Sequence, residues 1–138
     1  MPMTVYYESD ASLEPLKGKT VAVLGYGSQG HAHSLNLRDS GLKVVVGQRP
    51  GSKNFDLARQ HGFNPVPIRD AVKGADLVIL AAPISAQPAL FSALAPHLRP
   101  DALLTDCAST KQSTVAAARE RLGAAFARYV PAHPIAGS

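Results

Sequence analysis

The sequence predicts an α/β domain built on a doubly wound parallel sheet, and three observations predict it. Strand-like and helix-like runs alternate along the chain, the pattern of a parallel sheet covered on both faces. The apolar run Thr20–Leu24 enters directly into Gly25-x-Gly27-x-x-Gly30, with helix-compatible residues behind it. At 138 residues and 46% apolar, the chain is long enough to bury one core and short for two.

Each element has its own local reason. Thr20–Leu24 is the first strand, and the helix opening near Ser28 runs to Ser40, where Gly41 is a natural stop. Leu42–Val46 is a second, β-branched strand. Ser52 offers a hydroxyl cap to a helix through Gln60, closed by Gly62. Asn64–Ile68 carries two prolines, so a third strand there is short and lies at the sheet edge. Ala75–Ala82 is nearly continuous apolar sequence, as a central parallel strand requires. After Pro83 a helix places Leu90, Leu94 and Leu98 on one core-facing stripe, and Pro96 ends its regular part. Ala102–Thr105 is the fifth strand. Ser109 or Thr110 caps a helix over Lys111–Leu122, with Val115, Ala118 and Leu122 on one face and Gly123 behind it. Ala125–Val130 is the sixth strand. The expected whole is a single Rossmann-type domain with strand order 3-2-1-4-5-6, without repeat, low-complexity tract or linker.

Composition narrows the function. No apolar run approaches the ~20 residues that span a bilayer, and the N-terminus lacks the basic-then-apolar pattern of a signal peptide. The single cysteine, Cys107, leaves no internal disulfide and fits a reducing cytoplasm. The formal charge of +4 is scattered, without a basic block or interleaved aromatics. That argues against nucleic acid and suits an anionic small ligand.

The glycine run carries the chemistry. Gly25 permits a tight turn at the strand end, and Gly27 has no side chain to hold a pyrophosphate off the backbone. Gly30 lets the new helix pack closely, so that its free N–H groups and positive end face the phosphates. An NAD site places an acid at the end of the second strand, but no carboxylate follows Val46 until Asp56. Arg49, Ser52 and Lys53 offer instead a fork, a hydroxyl and an ammonium, suited to a 2′-phosphate, so NADP(H) is the expected cofactor. The competing reading of these three is a solvated basic loop. The nicotinamide belongs near Ala82, Pro83 and Ser109, at the carboxyl ends of the fourth and fifth strands.

Two resemblances refine this. Val5-Tyr-Tyr-Glu-Ser-Asp10, Leu16-Lys-Gly-Lys19, Gly25-Tyr-Gly-Ser-Gln-Gly-His-Ala-His33, Leu37-Arg-Asp-Ser-Gly41 and Val46-Gly-Gln-Arg-Pro-Gly-Ser-Lys53 closely resemble the opening of ketol-acid reductoisomerase. The resemblance implies that Tyr26, Gly27, Ser28 and Gln29 contact the pyrophosphate, and Arg49, Ser52 and Lys53 the 2′-phosphate. It also implies NADPH with two Mg²⁺ ions, in the reduction and rearrangement of acetohydroxy acids for branched-chain amino-acid synthesis. From about Ala75 onward, Leu80-Ala-Ala-Pro83, Leu94-Ala-Pro-His-Leu98, Thr105-Asp-Cys-Ala-Ser-Thr-Lys111 and Val130-Pro-Ala-His-Pro-Ile-Ala-Gly-Ser138 are similar to prephenate dehydrogenase of tyrosine synthesis. By that resemblance His133 accepts a hydrogen bond from the ring hydroxyl as hydride leaves in oxidative decarboxylation, and Ser109 orients that hydroxyl. A neutral imidazole, with an ordinary pKa of about 6.5, suits the task.

Against the reductoisomerase pattern, Ala81-Ala-Pro-Ile-Ser-Ala-Gln87 stands where that family has an acidic segment, and Thr105–Lys111 lacks the histidine of its Ser-His-Gly segment. The helical domain that supplies metal-binding carboxylates, or in the second family an arginine and the dimer contacts, would follow Ser138. The expectation is therefore a chimera joined at residues 70–80, near Gly74-Ala-Asp-Leu-Val78, that binds NADP(H) with little or no turnover alone. The alternative is an active oxidoreductase of either type, its site completed by homodimerisation. A scaffold that binds no nucleotide is the third reading.

No metal site is expected, because His31 and His33 are two apart and cannot share a helix face. One of the pair is expected near the cofactor and the other packed locally. Cys107 is expected to be a buried structural thiol, His61 and His97 surface or helix-end residues, and Asp106 a group that caps or orients the loop after it. The alternative reading of His133 is an ordinary strand-end histidine, and that of Ser109 a plain helix cap.

Overall fold

The computed structural model describes residues 2–134. Five parallel strands form one sheet: β1 (Thr20–Leu24), β2 (Lys43–Gly47), β3 (Leu77–Leu80), β4 (Leu103–Asp106) and β5 (Tyr129–Val130), in spatial order β2-β1-β3-β4-β5. Between them run α1 (Ser28–Asp39), α2 (Lys53–Gln60), α3 (Ile68–Lys73), α4 (Gln87–Leu94) and α5 (Gln112–Arg121), with short 3₁₀ turns. Register is continuous across the centre, with Val21 opposite both Val44 and Leu77, and Leu77 opposite Leu103.

β1 is central and closed to water on both faces, and Val21, Ala22, Val23 and Leu24 are all fully buried. That burial is why the strand reads as an unbroken apolar run rather than an alternating one. The main core joins Leu24, Leu80 and Leu104 of the sheet to Phe91 and Leu94 of α4 and Ala118 of α5. A second cluster, Tyr26, Val46, Ala58 and Phe63, lies with Leu35 and Leu57 between α1, α2 and the sheet.

Most local signals hold. Gly41 follows α1 in a left-handed conformation (φ +83°). Ser52 caps α2 by accepting the Phe55 amide. α4 stops at Leu94, and Pro96 sits in a 3₁₀ turn over Ala95–His97.

Three expectations are corrected. The third strand, expected over Asn64–Ile68, is reduced to one bridge between Gly47 and Val66. Pro65 and Pro67 have no N–H with which to extend a ladder, so only Val66 pairs, donating to Val46 O and accepting from Gln48 N. The observed order is the expected 3-2-1-4-5-6 with that edge strand removed and the rest renumbered. The chain then turns into α3, a helix the sequence reading did not contain, which buries Ala71 and Val72. The sixth strand, expected over Ala125–Val130, is mostly a 3₁₀ turn over Gly123–Arg128, and only Tyr129 and Val130 pair with β4. Neither Ser109 nor Thr110 caps α5 through its side chain: the helix begins at Gln112 behind Lys111, and Thr110 gives only its carbonyl, to the Thr114 hydroxyl.

Among the described residues no helix is long and apolar enough to cross a membrane. The strands end at Leu24, Gly47, Leu80 and Asp106, and the segments leaving these ends build the site.

Candidate dinucleotide crevice

The three glycines of the first turn have different surroundings. Gly25 has φ +100°, and a Cβ there would come within 2.6 Å of the Ala81 carbonyl oxygen, because the segment leaving β3 presses on the loop. A Cβ on Gly30 would overlap the Gly25 carbonyl oxygen and lie 2.7 Å from its carbon. Gly27 differs: its φ of −73° is open to any residue, and a Cβ there would meet nothing within 4 Å. Gly27 O accepts the first bond of α1, from His31 N, and the amides before it have no helical acceptor.

Two lobes open beside this turn and share Gly27, Ala81, Ala82 and Pro83. The first, about 490 Å³, has apolar walls from Ile68, Leu90 and Pro83 and a polar side from Gln48, Arg49 and Asn54. The second, about 250 Å³, is lined also by Ser28, Gln29 and Cys107. Together they form a groove across the carboxyl ends of the strands, where order reverses between β1 and β3, the usual ligand position in such sheets.

Arg49 lines the first lobe and Lys53 follows on the next turn of chain; both are exposed, and among the described residues neither forms a salt bridge. Ser52 is already engaged. Its Oγ donates to Arg49 O at 2.7 Å and accepts from Phe55 N and Gln48 Nε2, each at 3.2 Å. These contacts pin the loop that carries the two cations. The groove fits a dinucleotide on observations of its own: an open cradle at Gly27, an apolar slot, and uncommitted cations at one end.

Tyr26 lines the first lobe, but its residue is only 1% exposed and its hydroxyl lies 3.0 Å from His61 Nδ1. Burial raises the phenol's pKa, opposed by the Arg38 charge. Only the Tyr26 backbone is left to face a diphosphate. His31 and His61 stack with ring centroids 4.8 Å apart, and Phe63 meets Tyr26 edge-on at 6.0 Å. Arg38 lies 4.8 Å over the Phe63 ring and donates to His61 O at 2.6 Å. His61 is the helix-end residue expected, at the C-cap of α2, and it is also a half-buried partner of the glycine loop. No local signal could reveal this, because His61 is 35 residues from Tyr26. His33 is half-buried with Nε2 unpartnered.

The end of β4 holds a group whose importance the sequence only hinted at. Asp106 is fully buried, and both of its oxygens are used. Oδ1 accepts the Tyr129 hydroxyl at 2.7 Å and the Ala132 amide at 3.4 Å. Oδ2 accepts the Ala108 amide at 2.9 Å and the Lys111 ammonium. The expectation that Asp106 orients the following loop is met, and it extends to the segment after β5. Burial and then the Asp106 bond push the Tyr129 phenol far up. Cys107, expected to be a buried structural thiol, is less enclosed than that. It is half-buried and faces the second lobe, its pKa raised first by burial and then by the Asp106 charge.

Ser109 and His133 are both exposed, and Ile135–Ser138 of the histidine's motif lie outside the described residues. Among the described residues no three His, Cys, Asp or Glu side chains converge as a metal site.

The family described as "Acetohydroxy acid isomeroreductase, NADPH-binding domain" matches residues 15–110. The chain belongs to this family. It is 50% identical over 105 residues to "Ketol-acid reductoisomerase (NADP(+)) 2" of Bifidobacterium longum (strain NCC 2705), a match covering 75% of this chain and 30% of that protein. Among solved structures, an NADH-preferring ketol-acid reductoisomerase from an uncultured archean superposes with TM-score 0.70 at 33% identity, covering 76% of this chain and 34% of that one. A prephenate dehydrogenase from A. aeolicus, in complex with hydroxyphenyl propionate and NAD⁺, superposes with TM-score 0.73 at 27% identity, covering 87% and 43%. The chain therefore spans about a third of the reductoisomerases it matches. The expected cofactor, NADP(H), is that of the reductoisomerase family's domain. Its match runs through residues 70–80, where a junction was expected, and the likeness to prephenate dehydrogenase is not confined to the back half.

Proposed function

We propose that this domain binds NADP(H) along the two-lobed groove and forms the cofactor-binding part of an oxidoreductase of ketol-acid reductoisomerase type. One observation carries the reading. Gly25 and Gly30 are demanded by the fold itself, whereas among the described residues nothing within 4 Å demands a glycine at Gly27. The missing side chain there makes room for something outside the chain, and a diphosphate on the first amides of α1 is what that geometry suits.

The adenosine half lies in the first lobe, with Arg49, Ser52 and Lys53 around the 2′-phosphate. The backbone at Tyr26–Gly30, with Ser28 and Gln29, holds the diphosphate. Ala82 and Pro83 line the nicotinamide half in the second lobe. The bound cofactor supplies a hydride donor or acceptor there. Ser109 and His133 are the residues placed to orient a substrate hydroxyl and hold its proton. Hydride transfer also needs a wall that fixes substrate and excludes water, and both side chains stand in solvent here. The domain alone is thus proposed to bind cofactor with little or no turnover, in the reducing cytoplasm that its single thiol suits. A composite ancestry rests on Thr105–Lys111 and Val130–Ser138, which follow the prephenate dehydrogenase pattern. Matching residues 1–75 and 76–138 separately, with one family best for both, overturns that ancestry.

Titration calorimetry with NADPH and NADH tests the reading. Arg49→Ala should weaken NADPH about tenfold or more, the scale of a charged hydrogen bond, while NADH is unaffected. Failure of the unmodified chain to bind either nucleotide refutes it. Turnover of prephenate, or of 2-acetolactate with Mg²⁺, that disappears in His133→Ala would favour the active alternative. Sedimentation of the same sample reports whether a homodimer accompanies it.

A further inference from the structure

We infer that Asp106 is a positioning residue for the second lobe, holding the loop after β4 and the segment after β5 in one arrangement against the nicotinamide half of the cofactor. The inference rests on the cofactor reading above. β1, β2 and β3 end in Leu24, Gly47 and Leu80, and β4 alone of these four strands ends in a buried carboxylate. Burying a charge there is costly unless it is paired and fully hydrogen-bonded, so a residue with only a packing task would be apolar. The cost is met by four donors from two separate stretches of chain: the Ala108 amide and Lys111 ammonium, and the Tyr129 hydroxyl and Ala132 amide.

The position of those donors gives the carboxylate its function. Ala108 and Ala132 each immediately precede an expected substrate-side residue, Ser109 and His133. One side chain thus sets the backbone entering both, although Ala132 lies 26 residues beyond Asp106 in the chain. Cys107, between Asp106 and Ala108, is part of the second lobe's wall, so a shift of this loop changes the lobe's shape directly. Among the described residues of the two segments Cys107 alone lines the second lobe, and none lines the first.

The test exploits that division. NADPH fills both lobes, whereas 2′,5′-ADP carries only the adenosine and 2′-phosphate half. In calorimetry Asp106→Asn should weaken NADPH by about fivefold or more, the low end of coupling between linked sites, and leave 2′,5′-ADP unchanged. Tyr129→Phe removes one donor and should shift the same ratio in the same direction by less, which keeps the test available if Asp106→Asn does not fold. Thermal melts of the variants accompany the titrations. Equal loss for both ligands, or no loss for either in a folded variant, overturns the positioning role, because general destabilisation does not distinguish the ligands. If the unmodified chain does not bind 2′,5′-ADP, the cofactor reading fails first and takes this inference with it.

Discussion

Gly27 and Gly30, three residues apart, should respond to the same substitution in opposite ways. Gly30→Ala drives a methyl into the Gly25 carbonyl, a backbone group that cannot step aside. It should cost about 1–3 kcal/mol or more, read as a lower midpoint in urea. Gly27→Ala meets no atom within 4 Å in an ordinary backbone conformation, so its midpoint should stay in place while NADPH affinity falls. A stability loss at Gly27, or unchanged affinity, would contradict the roles given to the pair. These roles were legible in the sequence because turn and close approach are local properties of the strand–turn–helix unit. The Tyr26 ring was not legible: its orientation is decided by His61, Phe63 and His31, which the fold brings together from α1 and the far side of α2.

The helix α2 was readable for the same local reason, since Ser52 stands at its cap and Gly62 just past its end. Ser52→Ala removes the acceptor of the Phe55 amide and should cost about 1 kcal/mol in a denaturant titration. Elements whose nature depends on neighbours were misread. Val66 has the β-branched character of a strand, but its proline neighbours leave it one pair of bonds with β2. Ile68 was read as the end of a strand and is the first residue of α3, because Pro67 sets an extended entry and Ala71 and Val72 then fit against β1 and β2. Gly123–Arg128 has apolar residues at strand-like density, yet it coils as 3₁₀ and delivers only Tyr129 and Val130 to the sheet, where the Tyr129 phenol reaches Asp106.

At the scale of the whole molecule, the sheet is tied at the end opposite the groove by Asp76. Its carboxylate accepts the Thr20 amide at 2.8 Å and Arg99 Nη1 at 2.8 Å, while its backbone bonds to Thr20 O and Leu103 N. The Thr20 amide first, then Arg99 and Lys19, hold the carboxyl below the ordinary aspartate range despite partial desolvation. A carboxyl depressed on folding adds stability above its unfolded pKa of about 3.9, and that contribution fades as pH falls through the depressed value. Melting temperatures followed downward from about pH 5 should therefore fall, and Asp76→Asn should flatten that acid limb. An unchanged slope in the variant would remove Asp76 from the account. The overall architecture was legible because alternating strand and helix runs admit few arrangements. The meeting of Ala108 and Ala132 on one carboxylate was not, since it depends on how β4 and β5 align rather than on any motif in either stretch.

Cys107 is the chain's single cysteine, and it lines the groove. A thiol-selective label consequently has one address per molecule, and the fraction modified counts vacant grooves without any spectroscopic change in the nucleotide. Because burial and Asp106 raise this thiol's pKa, labelling should be slow near neutrality and accelerate in mild alkali, and saturating NADPH should shield it. The protein thereby carries its own occupancy gauge.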